Sequence, residues 1–98
     1  MATYDRPGGV EDPLAEQRKR LRFRSWHRGT KEINHLLGTF ADDWIERLDA
    51  GQLARYEALL ENSDPDLYDW ITARAPPPSE FDDLLVLMRS VQGKPVTT

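Results

Sequence analysis

The sequence contains no cysteine, and this single absence removes several classes of function. Without thiols the chain has no disulfide framework, no thiolate nucleophile and no cysteine-ligated metal site. It also has no apolar run near the 18 or so residues that a membrane-spanning helix needs, so membrane insertion is not expected. Neither a glycine-rich phosphate loop nor a dinucleotide-binding fingerprint occurs. The chain is therefore not expected to hold a nucleotide cofactor in the usual manner.

Histidine is almost as scarce, since only His27 and His35 are present. They lie eight residues apart on different predicted elements, and no cysteine is present to support a zinc site. The acid pairs at 42–43 and 82–83 fall at or near predicted helix ends, where solvated carboxylates are usual. No catalytic or metal-binding constellation is predicted, and we expect a protein that is not an enzyme.

A chain of 98 residues is expected to form one domain. Residues 1–12 and 93–98 lack apolar periodicity, and we predict flexible tails there, with a helical domain at 13–92. The first segment resembles neither a secretory signal nor an arginine-rich, acid-poor transit peptide. A cytoplasmic location in a bacterium is therefore expected, in preference to a mitochondrial matrix, and we expect a monomer.

The apolar residues predict an all-α fold of five helices in one compact bundle. The helices are expected at 12 or 13 to 26, 30–48, 50–61, 64 to just before the prolines at 76–78, and 79 to just before 93. Asp12, Thr30, Asp49, Asp64 and Ser79 are the expected helix-capping residues, because short polar side chains accept hydrogen bonds from free backbone N–H groups. The helix at 30–48 has one continuous apolar face and is the predicted centre of the core.

Charge is distributed unevenly. Residues 18–31 contain seven Lys or Arg and no acid, whereas the other 84 residues contain 6 basic and 17 acidic side chains, a balance of −11. Such a block is typical of a solvated helix face or of an interaction surface.

This basic block ends in Arg28-Gly29-Thr30-Lys31-Glu32, at the junction of the first two predicted helices. Gly29 permits a positive φ or a close approach by another part of the chain. Arg28 and Glu32 are expected to be exposed, and an ion pair between them in this order would add only tenths of a kcal/mol. A turn between two helices also accounts for these residues without any further function, because glycine suits the turn, Thr30 suits a helix cap and Glu32 suits the first helical turn.

A second motif extends the pattern. Arg28-Gly29-x-x-Glu32, a Leu- and Phe-rich helix and then Asp64-Pro65-Asp66-Leu67-Tyr68-Asp69-Trp70 together resemble the SdhE-type succinate dehydrogenase flavinylation-factor family. The resemblance spans about residues 14–91. The sequence departs from the family pattern in its longer N-terminal segment and in the three prolines at 76–78. These departures leave the position of the last helix open.

The resemblance implies a non-catalytic assembly factor, or chaperone. Such a factor binds the flavoprotein subunit of succinate dehydrogenase or fumarate reductase and promotes covalent attachment of FAD. It also implies that FAD belongs to the partner and that Arg28, Gly29 and Glu32 meet that partner, with Arg28 as a bidentate donor. Trp26 and His27 lie beside the motif and are further candidates for partner binding, although Trp26 would serve equally well as core cover between two helices.

A second function from a different class remains open, namely a small helical nucleic-acid-binding regulator that uses the basic segment 18–31. The balance of −11 elsewhere would repel phosphates. The helix after the turn also offers few side chains suited to base edges beyond Lys31, Asn34 and His35. Nucleic-acid binding is therefore not the preferred function.

Overall fold

The computed structural model describes the backbone of residues 12–92 and the side chains of residues 12–90, and this part of the chain is helical. It contains α1 (Ala15–Trp26), α2 (Lys31–Trp44), α3 (Ala50–Leu59), α4 (Asp64–Ile71) and α5 (Asp82–Gln92), with a 3-10 turn at Ser79–Phe81 directly before α5. Within residues 12–92 there is no β-strand. The predicted all-α fold with five helices is confirmed. The predicted tails, apart from Asp12, lie outside the described residues, and the domain boundaries remain a prediction.

None of the described helices is both long enough and apolar enough to cross a membrane.

Two of the five predicted caps are confirmed. The Thr30 hydroxyl accepts a hydrogen bond of 3.2 Å from the Ile33 N–H at the start of α2. Asp49 and Gln52 form a reciprocal capping box at the start of α3, since each side chain accepts a hydrogen bond from the other residue's backbone N–H. These bonds satisfy N–H groups that have no partner within the helix, and they set where each helix begins.

The other three residues are not the N-caps of their helices. Helix α1 begins at Ala15 with Leu14 as its N-cap. The Asp12 carboxylate still accepts a 2.9 Å hydrogen bond from the Leu14 N–H, and the Asp12 carbonyl accepts from the Ala15 N–H, in the turn directly before the helix. Ser63 caps α4, and Asp64 is the first helical residue, so its carboxylate is free for another role. Ser79 begins the 3-10 turn instead of capping α5.

Helix α2 ends at Trp44, four residues before its predicted end. The chain turns at this point, and the carbonyls of Ile45 and Leu48 both accept hydrogen bonds from the buried guanidinium of Arg18. A charged donor inside the fold stabilises carbonyls that the ended helix leaves unpaired. The apolar side chains of Ile45 and Leu48 are still buried as the pattern predicted.

Helix α4 also ends earlier than predicted, at Ile71. Ala73 has a φ of 64°, in the left-handed region, and the Arg74 N–H donates to the carbonyl of Asp69 at 2.7 Å. Together with the bond from Ala73 N–H to the Trp70 carbonyl, this is a Schellman-type ending with alanine where glycine is usual. The sequence offered no glycine to mark this ending.

The core is centred on α2, as predicted. Ile33, Leu37, Phe40 and Ala41 are buried on its inner face and pack in one cluster with buried side chains of the other helices. Trp44 was expected to be inside as well, but it is only half-buried, and the guanidinium of Arg47 lies 4.6 Å from its ring centre.

Gly38 sets the distance between α1 and α2. A Cβ atom placed on Gly38 would overlap the indole ring of Trp26, so the ring occupies space that only glycine leaves open. The indole Nε1–H donates to Asp42 at 3.2 Å. Of the two explanations that the sequence left for a glycine inside this helix, a close crossing and a bend, the close crossing is present.

Candidate functional site

Arg28 stands at the corner between α1 and α2, but its side chain turns inward. Only 14% of it is exposed. Its Nη1–H donates to the Leu60 carbonyl at 2.6 Å and its Nη2–H donates to the Asn62 carbonyl at 2.8 Å. Both carbonyls lie at the end of α3, where helical partners run out. The expectation that Arg28 would be exposed is therefore wrong, since its donors stabilise the α3–α4 junction.

Asp64 completes the corner from the other side. Its Oδ1 accepts a 2.8 Å hydrogen bond from Arg28 Nε, and its Oδ2 accepts a 2.9 Å bond from the backbone N–H of Gly29. One carboxylate thus binds two consecutive residues of the first motif. Sequence reasoning assigned Asp64 to helix initiation and missed this role. The available signal was an acid at the start of the second motif with no basic partner nearby in sequence.

Gly29 is exposed, and its backbone lies against the carboxylate of Asp64. A Cβ atom at this position would be 2.8 Å from Asp64 Oδ2, and Gly29 does not have a positive φ. The sequence offered two reasons for glycine here, and the structure supports close approach. The approaching group is a carboxylate that needs the room.

Glu32 is exposed in the first turn of α2, and within the described residues no ion pair joins it to Arg28. It lines a cavity of about 210 Å³ together with Thr30, Ile33, Asp64, Pro65 and Tyr68. The first and second motifs therefore share one surface. Within residues 12–90 no hydrogen bond or ion pair involves the Glu32 carboxylate, so its oxygens are available as hydrogen-bond acceptors there.

A second cavity, of about 510 Å³, opens on the other side of the corner. Its lining residues are Phe23, Arg24, His27, Arg28, Gly29 and Asp64. The two cavities have Asp64 in common, so the corner that Arg28, Gly29 and Asp64 form lies between them. We use the name corner surface for four of the exposed residues around the two cavities: Phe23, His27, Gly29 and Glu32.

The two neighbouring candidates, Trp26 and His27, have different settings. Trp26 is 36% exposed and covers Gly38, which is the core-cover position that the sequence left as an alternative. His27 is exposed and lines the larger cavity. Its Nδ1 lies 2.7 Å from the carbonyl oxygen of Phe23. A carbonyl oxygen can only accept, so Nδ1 carries the hydrogen and Nε2 has none in the neutral ring.

The basic block at 18–31 is largely neutralised by acids of the same chain. Within the described residues, the five arginines of the block form ion pairs with acidic side chains, and these five are Arg18, Arg20, Arg22, Arg24 and Arg28. Glu57 on α3 lies within 3.1 Å of Arg20 and 3.8 Å of Arg24 on α1. Hydrogen bonds lower the pKa of Glu57, the one from Gln17 contributing most and the one from Arg20 next. The main role of the basic block is therefore to form ion pairs that connect α1 to neighbouring parts of the fold.

Among residues 12–92, no group of three or more His, Asp or Glu side chains is placed to hold a metal ion.

Fold and site together describe a small all-α protein whose polar corner, flanked by two cavities, suits docking to another molecule. Residues 19–92 match the family model described as flavinator of succinate dehydrogenase, named Sdh5. Because the match covers most of the chain, the chain belongs to this family, and the predicted resemblance is confirmed.

Curated relatives agree with this assignment. The chain is 44% identical over 73 residues to the FAD assembly factor SdhE of Acetobacter pasteurianus, covering 74% of this chain and 67% of the relative. It is 43% identical over 69 residues to the mitochondrial succinate dehydrogenase assembly factor 2 of Dictyostelium discoideum, covering 70% and 49%. The corresponding protein of Culex quinquefasciatus is 38% identical over 79 residues, covering 79% and 50%. The chain thus spans about half the length of these mitochondrial relatives. No solved structure gives a significant match.

Proposed function

We propose that this protein is an assembly factor that binds the flavoprotein subunit of succinate dehydrogenase, or of fumarate reductase, and promotes the covalent attachment of FAD to that subunit. The family match over residues 19–92 and the relative named as an FAD assembly factor support this proposal. FAD belongs to the partner in this account. The bond-forming groups belong to the flavoprotein, and this chain contributes positioning.

The observation that carries the proposal is the construction of the corner. Asp64 holds the Arg28 side chain and the Gly29 backbone together, while Glu32 and the face of Gly29 stay exposed. A surface that is rigid before binding loses less entropy when it binds. The corner surface thus has the properties of a docking site that is formed before the partner arrives.

Each motif residue has a distinct role in this proposal. Gly29 leaves room for the Asp64 carboxylate and keeps its own backbone exposed at the surface, and Glu32 accepts hydrogen bonds across the interface. Arg28 was interpreted from the sequence as a bidentate donor to the partner. Since its guanidinium already donates to Asp64 and to two carbonyls, we assign it to holding the corner in shape.

The factor would act by selecting one conformation of the flavoprotein. A binding partner shifts a conformational equilibrium only by the difference in its affinity for the two states. Holding the flavoprotein in the geometry that favours attachment would raise the rate by positioning its own reacting groups. Tighter binding to the immature than to the flavinylated subunit is therefore required.

The test is reconstitution with purified components. The apo flavoprotein subunit of the same organism is mixed with FAD, with and without this chain, and covalent flavin is measured by in-gel fluorescence. The account predicts a faster rise of covalent flavin when the chain is present, and direct binding by calorimetry. An unchanged rate together with no detectable binding would reject the proposal.

The location of this activity is a separate proposal. The relative from Acetobacter pasteurianus is bacterial, whereas the relatives from Dictyostelium discoideum and Culex quinquefasciatus are named as mitochondrial. We place the protein in a bacterial cytoplasm. Cell fractionation with an antibody against this chain tests the placement, and recovery in the membrane or periplasmic fraction would contradict it.

The ion pairs of the basic block weigh against the nucleic-acid alternative. Arginines that already pair with Glu57, Glu61, Asp42, Asp12 and Asp64 would have to exchange those partners for phosphates. A salt titration of duplex binding separates the two functions, because phosphate contacts make affinity fall steeply with salt. Tight, salt-sensitive binding to DNA would revive the alternative.

A further inference from the structure

Phe23 is the apolar member of the corner surface, and it is exposed. Its side chain is 61% exposed although it lies on α1, the helix that packs most closely on α2. A single exposed apolar residue is ordinary in a folded protein. Phe23 differs from an ordinary case in two ways, namely its fixed orientation and its position on the wall of the larger cavity.

The orientation of Phe23 is fixed by His27, one helical turn later. The two rings stack with their centres 3.9 Å apart and their planes inclined by 18°. The hydrogen bond from His27 Nδ1 to the Phe23 carbonyl holds the imidazole in this position. An aromatic ring restricted in this way loses little conformational freedom when a partner covers it.

The surroundings of Phe23 resemble the rim of a protein interface. Arg24 donates to Glu61 at 3.0 Å, and Arg28 donates to Asp64 at 2.8 Å, so the charges near the ring are already paired within this chain. Interfaces that bind tightly often place an aromatic side chain at the centre, enclosed by polar groups that exclude water. Phe23 and Gly29 also line one cavity, which makes the ring continuous with the proposed docking site.

We propose that Phe23 is the aromatic anchor of the corner surface and that it enters an apolar pocket on the flavoprotein subunit. This inference rests on the proposed function. The stacked His27 positions the ring, and Gly29 and Glu32 supply the polar contacts beside it. The motif alone does not indicate this residue, because Phe23 lies outside the Arg28-to-Glu32 segment.

The experiment measures binding of the purified flavoprotein subunit to wild-type protein, Phe23→Ala and Phe23→Tyr by calorimetry, with the melting temperature of each. Val86→Ala is the matched control, because Val86 on α5 is 62% exposed and lines neither cavity. We expect Phe23→Ala to raise the dissociation constant about tenfold or more, as loss of an aromatic anchor does. Phe23→Tyr keeps the ring and should stay within about threefold of wild type, as should Val86→Ala.

The outcomes separate this inference from the function on which it rests. If the wild-type protein does not bind the flavoprotein, the proposed function fails and the anchor fails with it. If wild type binds and Phe23→Ala binds equally well, only the anchor is rejected. A large drop in the melting temperature of Phe23→Ala would also reject the anchor, because it would show that the ring stabilises the fold.

Discussion

The side chains of Arg28 and Asp64 join two segments that lie 36 positions apart in the sequence, through a 2.8 Å hydrogen bond between Arg28 Nε and Asp64 Oδ1. Arg28 begins the first of the two family motifs, and Asp64 begins the second. The pair is mostly buried, with 14% of the Arg28 side chain and 22% of the Asp64 side chain exposed. The two motifs are therefore one structural unit, and the bond between them shapes the corner surface.

Arg28→Ala should consequently destabilise the fold, in contrast to what an exposed arginine would do. The change leaves Asp64 Oδ1 and two carbonyls without their donor, which should cost about 2–4 kcal/mol. In a domain of this size the melting temperature should fall by about 10 °C or more. Arg28→Lys keeps the charge but loses the planar fork, so most of the loss should remain. Thermal unfolding followed by circular dichroism measures both.

The control for Arg28 is Lys31→Ala, which removes an exposed cation from the same motif. Its melting temperature should change by no more than about 3 °C, as is usual for surface positions. Equal melting temperatures for Arg28→Ala and wild type would show that the inward bonds of Arg28 contribute nothing to stability.

Gly29→Ala and Gly51→Ala should change the free energy of unfolding in opposite directions. A Cβ atom at Gly29 would press on the Asp64 carboxylate at 2.8 Å, whereas at Gly51 it would meet Asp49 at an ordinary 3.5 Å. Gly51 lies in α3, where alanine is favoured over glycine by up to about 1 kcal/mol. We expect a loss of about 1 kcal/mol or more at Gly29 from the crowded hydrogen bond, and a small gain at Gly51. Urea unfolding measures both, and a gain at Gly29 would contradict the close approach.

Ala73→Gly should stabilise the protein. Ala73 has a φ of 64°, a conformation that glycine adopts without the penalty that a Cβ atom brings. The expected gain is about 1 kcal/mol, reduced by the extra freedom of glycine in the unfolded chain. Ala75→Gly, two residues on and outside the left-handed position, is the control and should not stabilise. A loss of stability at both positions would contradict the left-handed ending of α4.

Acid should weaken the contact between α1 and α3. The pKa of Glu57 in the folded protein lies below its ordinary value of 4.5, because Gln17 and Arg20 donate hydrogen bonds to the carboxylate. The unfolded chain therefore binds more protons in this range, so the stabilisation is complete above about pH 4.5 and is lost as the pH falls through the lowered pKa. Melting temperatures between about pH 7 and pH 3 should decline less for Glu57→Gln than for wild type. Parallel curves would contradict this role of Glu57.

The sequence predicted the parts of the fold that depend on local chemistry. The caps at Thr30 and Asp49 follow from side chains that bond within three residues, and the inner face of α2 follows from helical spacing. The ends of α2 and α4 were missed because distant or unusual interactions set them. Near the end of α2, Arg18 donates hydrogen bonds to the carbonyls of Ile45 and Leu48, which lie 27 and 30 positions away in the sequence. At the end of α4, Ala73 adopts a left-handed backbone conformation that its side chain disfavours.

The candidate site likewise has features that local sequence predicts and features that depend on distant residues. The motif located the corner, since the sequence alone pointed to Gly29 and Glu32 as exposed positions near a turn. The inward orientation of Arg28 could not be predicted, because its partners Leu60, Asn62 and Asp64 lie 32 to 36 positions away in the sequence. The neutralisation of the basic block was hidden for the same reason, since the acids that pair with it come mainly from α2, α3 and the start of α4.

The central claim, that the corner surface serves covalent attachment of FAD to the flavoprotein, is tested most directly through Glu32. Cells lacking the factor are complemented with wild type, Glu32→Ala or the control Glu46→Ala, which removes an exposed glutamate from the turn after α2. Covalent flavin on the flavoprotein is measured by in-gel fluorescence, alongside the melting temperature of each purified variant. The account predicts that all three melt within about 3 °C of one another and that only Glu32→Ala fails to restore covalent flavin. Full restoration by a folded Glu32→Ala protein would contradict it.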